Sequence, residues 1–428
     1  MNLTPEQQEL GRRNFLRALA GTPAVAALGA AAIMKGPVPG GPVRLGYVGL
    51  GGQGRVLLEQ TDARYAEVVA LCDINPAQLQ KADEALERAG KPLARHYVNW
   101  MEMIDKEDLE GLVVAAPLFL HAEMSVAGLD AGLHVLCEKM MARSVEGLRL
   151  MLEAARRTGR LLEIGHQRHY NPVFKAAYEG IIEPGLLGEV YYSRLHWHRS
   201  GSWRRAVESP APGYDPSEWG YPDLERMINW RLYWDYSLGL LAELASHQVA
   251  IANWFFGAVP DAVVGHGGVF RYKDGREVPD HIYATFEYPE GRTALLSSIQ
   301  SNAFGGYYEA FFGTEGTLVL RGESEAYLFD EGERKATGIE IAPRDGSPLG
   351  AASESRATEA AGGMMTAGQT LQQRVNAYQL EVSGFCAAIR TGVPLQCGPE
   401  LAAGSARACL AAHEAMEKKA RVAVPAIV

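Results

Sequence analysis

Residues 43–60 read VRLGYVGLGGQGRVLLEQ, and the fold turns on this stretch. A short apolar run, Val43 to Val48, enters a cluster of glycines and leaves it as a helical pattern carrying Val56, Leu57 and Leu58. A glycine-rich turn between a strand and a helix is a dinucleotide grip. Gly49 permits the tight turn, Gly51 lets a pyrophosphate approach the main chain, and Gly54 lets the helix pack closely on the strand. Gln53 lies inside the same turn and counts with the cofactor contacts. The helix amino terminus offers unpaired N–H groups and a positive dipole end to the phosphates. A second apolar run, EVVALCD, ends at Asp73. Its carboxylate is placed to accept hydrogen bonds from the adenosine ribose and would repel a 2′-phosphate, so NAD is expected in preference to NADP.

Working outward, GLVVAAPLFLHAEM (111–124) and GLHVLCEKMMA (132–142) repeat the pattern of a buried strand with a polar end. In open parallel sheets ligands bind beyond the carboxyl ends of the strands. Pro117, His121, Glu138 and Lys139 therefore fall on the working edge, the first two and Glu138 as cofactor contacts.

The rest of the composition sets bounds. A chain of 428 residues exceeds one ordinary core, so two domains and a leader are expected. A net charge of −10 and the lack of any Lys/Arg block argue against a nucleic-acid partner. The five cysteines have neither zinc-ligand nor disulfide-framework spacing, and no metal is expected.

VGLGGQG, LCDINP, APLFLHAEM, HVLCEKMMA, GHQRHYNPVF, GEV and GLLAELASHQVAIANWFFG together resemble the Gfo/Idh/MocA oxidoreductase family, the group that includes glucose–fructose oxidoreductase and inositol dehydrogenase. The resemblance implies an α/β Rossmann domain followed by an α+β domain with a large, mostly antiparallel, open-faced sheet, whose face would serve homo-oligomer contacts. Expected boundaries are 36–165 for the first domain, with helices of 370–428 packing back on it, and 166–369 for the second. It also implies that the lysine of a Glu-Lys-Pro motif, here Glu138-Lys139-Met140, projects toward nicotinamide and substrate. The family's Asp-x-x-x-His becomes Glu243-x-x-x-His247, with Ala250 where a second Asp is common. His247 can take a hydroxyl proton, and Glu243, four residues earlier on the same helix face, can orient it or hold substrate hydroxyls. Arg168 and His169 lie where family members line the pocket.

Six of the seven tryptophans fall between Trp197 and Trp254, five of them up to Trp234 in a Pro/Gly-punctuated stretch that reads as a long loop. So many aromatics exclude disorder and suit the C–H face of a sugar ring. Trp230 and Tyr236 are taken from it as substrate contacts.

The amino terminus carries a different message. Arg12-Arg13 before Asn14-Phe15-Leu16 and an apolar Ala/Gly-rich run to Met34 resembles a twin-arginine export signal over residues 1–35, either cut near Ala30 to Ala32 or kept as an anchor. An ordinary amphipathic helix is the alternative. Export of a folded, loaded protein by the twin-arginine machinery to the periplasm implies NAD that stays bound. Three functions remain open: hydride exchange with a hydroxyl of a sugar or cyclitol, a redox-neutral NAD-dependent glycosidase, and a non-catalytic sensor.

Overall fold

The computed structural model of the protein describes residues 1, 3–20, 39–331 and 376–427. The proposed cleavage site near Ala30 to Ala32 and the Gly/Ala/Ser-rich segment 346–368 lie outside these residues.

Six parallel strands form the first sheet: β1 (Val43–Val48), β2 (Ala66–Cys72), β3 (Arg95–Tyr97), β4 (Gly111–Val114), β5 (His134–Glu138) and β6 (Leu162–Gly165). Their order is β3-β2-β1-β4-β5-β6, the doubly wound arrangement whose switch point lies between β1 and β4. Strands β4 and β6 are buried along their length, and β5 from Val135 onward, as strands covered on both faces must be. The helix Gly52–Gln60 starts on the glycine turn.

The second sheet has eight strands: β7 (Val190–His198), β8 (Ala262–Gly268), β9 (His281–Glu287), β10 (Thr293–Ile299), β11 (Tyr307–Gly313), β12 (Gly316–Arg321), β13 (Glu325–Asp330) and β14 (Val422–Ala423). All neighbours are antiparallel except the pair β7 and β10. Strands β9 and β10 alternate buried and exposed, which marks one covered and one open face. Tyr283 and Leu295 stand exposed on the open side.

The helix Ser246–Phe256 lies on the covered face beside the helix Pro399–Lys418. The latter also touches β8 and the first-domain helix Val145–Thr158, so it spans both halves. The helix Ala377–Thr391 packs against the helix Gly52–Gln60.

The amino-terminal segment is a helix, Pro5–Leu19, opened by a capping box between Thr4 and Gln7. It lies across the edge strand β13. Phe15 and Leu19 are buried with Phe255, Phe311 and Leu328, and Leu3 rests on the cluster of Tyr308, Val319 and Tyr327. Burial of two such side chains contributes roughly 1.5–3 kcal/mol each. Arg12 pairs with Glu325 at 2.8 Å. An uncovered edge strand invites mispairing, and this helix covers one.

Candidate active site

A cleft of about 570 Å³ opens between the carboxyl ends of the first sheet and the covered face of the second. Gln53, His121, Glu138 and Lys139 line it from the cofactor side; Trp230, Glu243 and His247 line it from the substrate side.

The glycine turn fits a dinucleotide. Gly49 holds φ +85°, and a Cβ there would sit 2.5 Å from the Ala116 nitrogen. A Cβ on Gly54 would lie 1.9 Å from the Gly49 carbonyl oxygen. Gly51, by contrast, has open space before it, at the amino end of a nine-residue helix. That open space in front of unpaired N–H groups is what a pyrophosphate needs. Asp73 Oδ2 accepts from Leu50 N at 2.7 Å and Oδ1 from Asn75 N at 2.8 Å. Burial pushes this carboxyl up to about 6, against those two hydrogen bonds and the Arg55 charge. Pro117 begins the turn from β4 into the helix that carries His121.

His121 ties two strand ends together: Nδ1 is 2.9 Å from the Met140 carbonyl oxygen and Nε2 is 3.0 Å from that of Ala116. Burial lowers its pKa. Gln53 Nε2 donates to Glu138 Oε1 at 2.8 Å, and Lys139 N donates to Glu138 Oε2 at 3.1 Å. Burial raises the Glu138 carboxyl, with Lys139 and Gln53 pulling the other way.

Lys139 reaches across the domain boundary. Its Nζ donates to the carbonyl oxygens of Glu243 at 3.1 Å and Ala242 at 3.4 Å. Residues Leu241–Ala245 form one π-helical turn ahead of the helix Ser246–Phe256. Such a turn breaks the regular hydrogen-bond ladder, and its carbonyls are open to a side-chain donor. It also turns Glu243 away from His247. Glu243 Oε2 instead accepts from Arg231 Nε at 2.9 Å, and the orienting bond to His247 expected from i, i+4 spacing is not made. Burial pushes the Glu243 carboxyl up, but Arg231 and Lys139 together outweigh it and hold it below its ordinary value. His247 is driven well below its ordinary value by burial and then by the Lys139 charge, so it stands in the cleft as a neutral base.

Three expected substrate residues lie elsewhere. Arg168 is 1% exposed and pairs with Glu309 at 2.6 Å and Glu323 at 2.8 Å. His169 faces a second pocket beside Trp254. The cause is the tight 3₁₀ turn Gln167–His169, which aims Gln167 into the cleft and its two successors behind the wall. Tyr236 packs on Phe119 and Tyr221 within the tryptophan-rich loop's own small core. Arg168 still bears on the cleft, since its guanidinium lies 4.9 Å from the Trp197 ring centroid.

Sequence reasoning missed Gln167, whose buried Oε1 has no hydrogen-bond partner, and the cleft arginines Arg199, Arg204 and Arg205; Trp197 and Trp203, two of the tryptophans offered for a sugar ring, stand in the same wall, Trp197 on β7 rather than in the loop. Alternation along β7 would have placed Trp197 there. Trp203 and Glu323, both in the wall, hold φ of 61° and 58°, left-handed values that cost non-glycine residues energy and gather at functional sites. The same loop reaches the cofactor domain, where Tyr214 Oη donates to the Ile74 carbonyl at 3.0 Å. Among the described residues no group of three or more His, Cys, Asp or Glu could hold a metal ion.

The fold and this cleft define a nucleotide-dependent oxidoreductase class. Residues 43–166 match the oxidoreductase family NAD-binding Rossmann fold and residues 180–424 match that family's C-terminal alpha/beta domain, so the chain belongs to the Gfo/Idh/MocA family. NAD is its cofactor. A glycosyl hydrolase family 109 protein of Stenotrophomonas maltophilia is 31% identical over 188 residues, 42% of this chain and 40% of that one. The chain thus spans well under half the length of those relatives. An inositol 2-dehydrogenase of Rubrobacter xylanophilus is 27% identical, over 65% of this chain and 71% of its own. Among solved structures, the WlbA dehydrogenase of Bordetella pertussis with NADH and UDP-GlcNAcA superposes with a TM-score of 0.67 at 20% identity, covering 91% of this chain and all of that one. A levoglucosan dehydrogenase with NADH and levoglucosan gives 0.66 at 20% identity, over 90% of this chain and 100% of that one.

Proposed function

We propose that the protein oxidises a hydroxyl-bearing carbon of a sugar, cyclitol or related carbohydrate. The observation that carries this reading is that Lys139 and His247 line one cleft from opposite domains, beside the Gln53–Glu138 pair at the cofactor turn. Bound NAD supplies the acceptor for the two electrons of the carbon–hydrogen bond. His247, neutral and buried, takes the hydroxyl proton. The Lys139 ammonium stabilises the oxygen as negative charge builds on it. Trp197, Trp203 and Trp230 exclude water and offer ring surfaces to a carbohydrate, and Gln167 Oε1 accepts from one of its hydroxyls.

A second reading is favoured by the family 109 relatives: the same oxidation begins a redox-neutral glycosidase cycle of elimination, hydration and reduction. Mixing NAD-loaded protein with aldoses, cyclitols and aryl glycosides, while following reduced-nicotinamide fluorescence and glycoside cleavage together, separates the two. Lasting reduction without cleavage supports the oxidoreductase; cleavage without lasting reduction supports the glycosidase. Neither event in the wild type sinks both and leaves the sensor.

We further infer export to the periplasm by the twin-arginine route with NAD held tightly. Arg12-Arg13 supports the route, and the tryptophan-rich loop reaching Ile74 and Phe119 supports retention of the cofactor. Exposed Tyr283 and Leu295 support a homo-oligomer through the open sheet face. Cell fractionation and light scattering test these points; a cytoplasmic monomer that loses NAD on desalting would refute them.

A further inference from the structure

Behind His247 the interior holds a row of histidines that the proposed chemistry does not use. The His166 ring lies 5.8 Å from that of His247, and the His169 ring lies 6.3 Å from that of His166, centroid to centroid. The first residue lines the cleft and the last lines a separate pocket of about 580 Å³ with Lys175, Glu179, Glu183 and Trp254. All three are buried. Each has one ring nitrogen with no hydrogen-bond partner: Nδ1 of His247, Nδ1 of His166 and Nε2 of His169. Three consecutive buried imidazoles with an orphan nitrogen apiece are not explained by packing, because each orphan costs the desolvation of a polar group.

Resting on the redox reading above, we propose that His247, His166 and His169 form a proton relay that carries the substrate's hydroxyl proton from the cleft to the second pocket. The relay uses one bridging water at each step, held at an orphan nitrogen. In the balanced step the carbinol loses its C–H electron pair and hydrogen to NAD, and its O–H proton passes to His247. Each imidazole then accepts on one nitrogen and releases from the other, and the proton leaves to solvent or to Glu179 and Glu183 at the second pocket. The carbinol is oxidised, NAD is reduced and no other reactant is needed. Lys139, Arg168 and Lys175 are the cations that bear on these rings, and with burial they keep all three neutral between transfers. Ser405 Oγ, 3.4 Å from His166 Nε2, steadies the middle ring.

Two measurements test the relay. In the resting protein, 15N-edited NMR of the imidazoles should show the N–H of His166 exchanging with solvent within seconds although the residue is buried; protection for hours overturns the relay. In single turnovers with NAD and with myo-inositol, D-glucose or levoglucosan as probes, His169→Gly should slow reduction and proton release together by roughly 10²-fold. Added imidazole should restore the rate and pyrrole, which fills the same hole without a basic nitrogen, should not. No loss in the variant, or equal rescue by pyrrole, overturns the relay while the redox reading stands. If the wild type reduces NAD with none of the probes, the redox reading falls and the exchange measurement alone decides the relay.

Discussion

The ammonium of Lys139, at the end of a first-domain strand, donates to the main-chain carbonyl of Glu243 in the second domain across 3.1 Å. This bond ties the cofactor side of the cleft to the substrate side through a side chain that the proposed chemistry also uses. Lys139→Ala is expected to lower the rate of NAD reduction by roughly 10²–10⁴-fold. NAD affinity should change little, because the glycine turn and Asp73 are untouched. Fluorescence titration with NAD beside single-turnover kinetics checks both halves of the statement, and retained turnover would remove Lys139 from the mechanism.

Arg231 and Lys139 hold Glu243 ionised against its own burial. Removing the nearer cation in Arg231→Ala leaves burial to dominate, so the Glu243 carboxyl moves up. The acid limb of the pH–rate profile should therefore move to higher pH in the variant, and Arg231→Lys should move it back in part. An acid limb that stays where it is would show that Glu243 does not titrate in the reaction.

The parts of this molecule that were legible in the sequence are those set by local geometry. The glycine turn is written in adjacent residues, since only glycine tolerates the approach of Gly54 to the Gly49 carbonyl. Lys139 was legible as the polar end of a buried strand, and His247 as a polar residue on an apolar helix. Gln167 was not, because a single 3₁₀ turn decides which of three consecutive polar residues enters the cleft. Glu243 was legible as a helix carboxylate and it lines the cleft, but its partner was not legible, since the π turn that redirects it has no marker in LLAELAS. The docking of Pro5–Leu19 on β13 is a contact across more than three hundred residues of chain, and periodicity alone cannot announce it.

That docking makes a prediction of its own for the chain that still carries its amino-terminal segment. A Cβ at Gly11 would fall 2.8 Å from both Phe329 Cζ and Tyr327 Cβ, so the helix sits on β13 only because this position has no side chain. Gly11→Val should cost roughly 1–3 kcal/mol through overpacking. Gly11→Ala should cost less because it adds a single carbon, although only the Phe329 ring can give way and Tyr327 Cβ, fixed to the main chain, cannot. Thermal melting and limited proteolysis between residues 20 and 39 check this; an unchanged melting temperature together with unchanged proteolysis would mean that the helix is not docked.

Asp73 should make NAD binding and folding respond to pH in opposite directions. Its carboxyl stands at about 6 in the NAD-free protein against an ordinary 3.8, because burial outweighs the hydrogen bonds from Asn75 and Leu50. A carboxylate accepts from two ribose hydroxyls and a carboxylic acid cannot serve both. NAD affinity should therefore fall as pH drops through 6, by up to about tenfold per pH unit below it. For folding the sign reverses. A carboxyl whose folded pKa is raised contributes stability that is fully present below 3.8 and is lost as pH climbs through 6. Between pH 5 and pH 7, then, NAD-free protein should lose stability while its NAD affinity rises, and Asp73→Asn should flatten both trends. Titration calorimetry with NAD and denaturant melts of the NAD-free protein at the two pH values decide the matter; trends of the same sign, or an Asn variant that keeps the wild-type slopes, would take Asp73 out of the cofactor site.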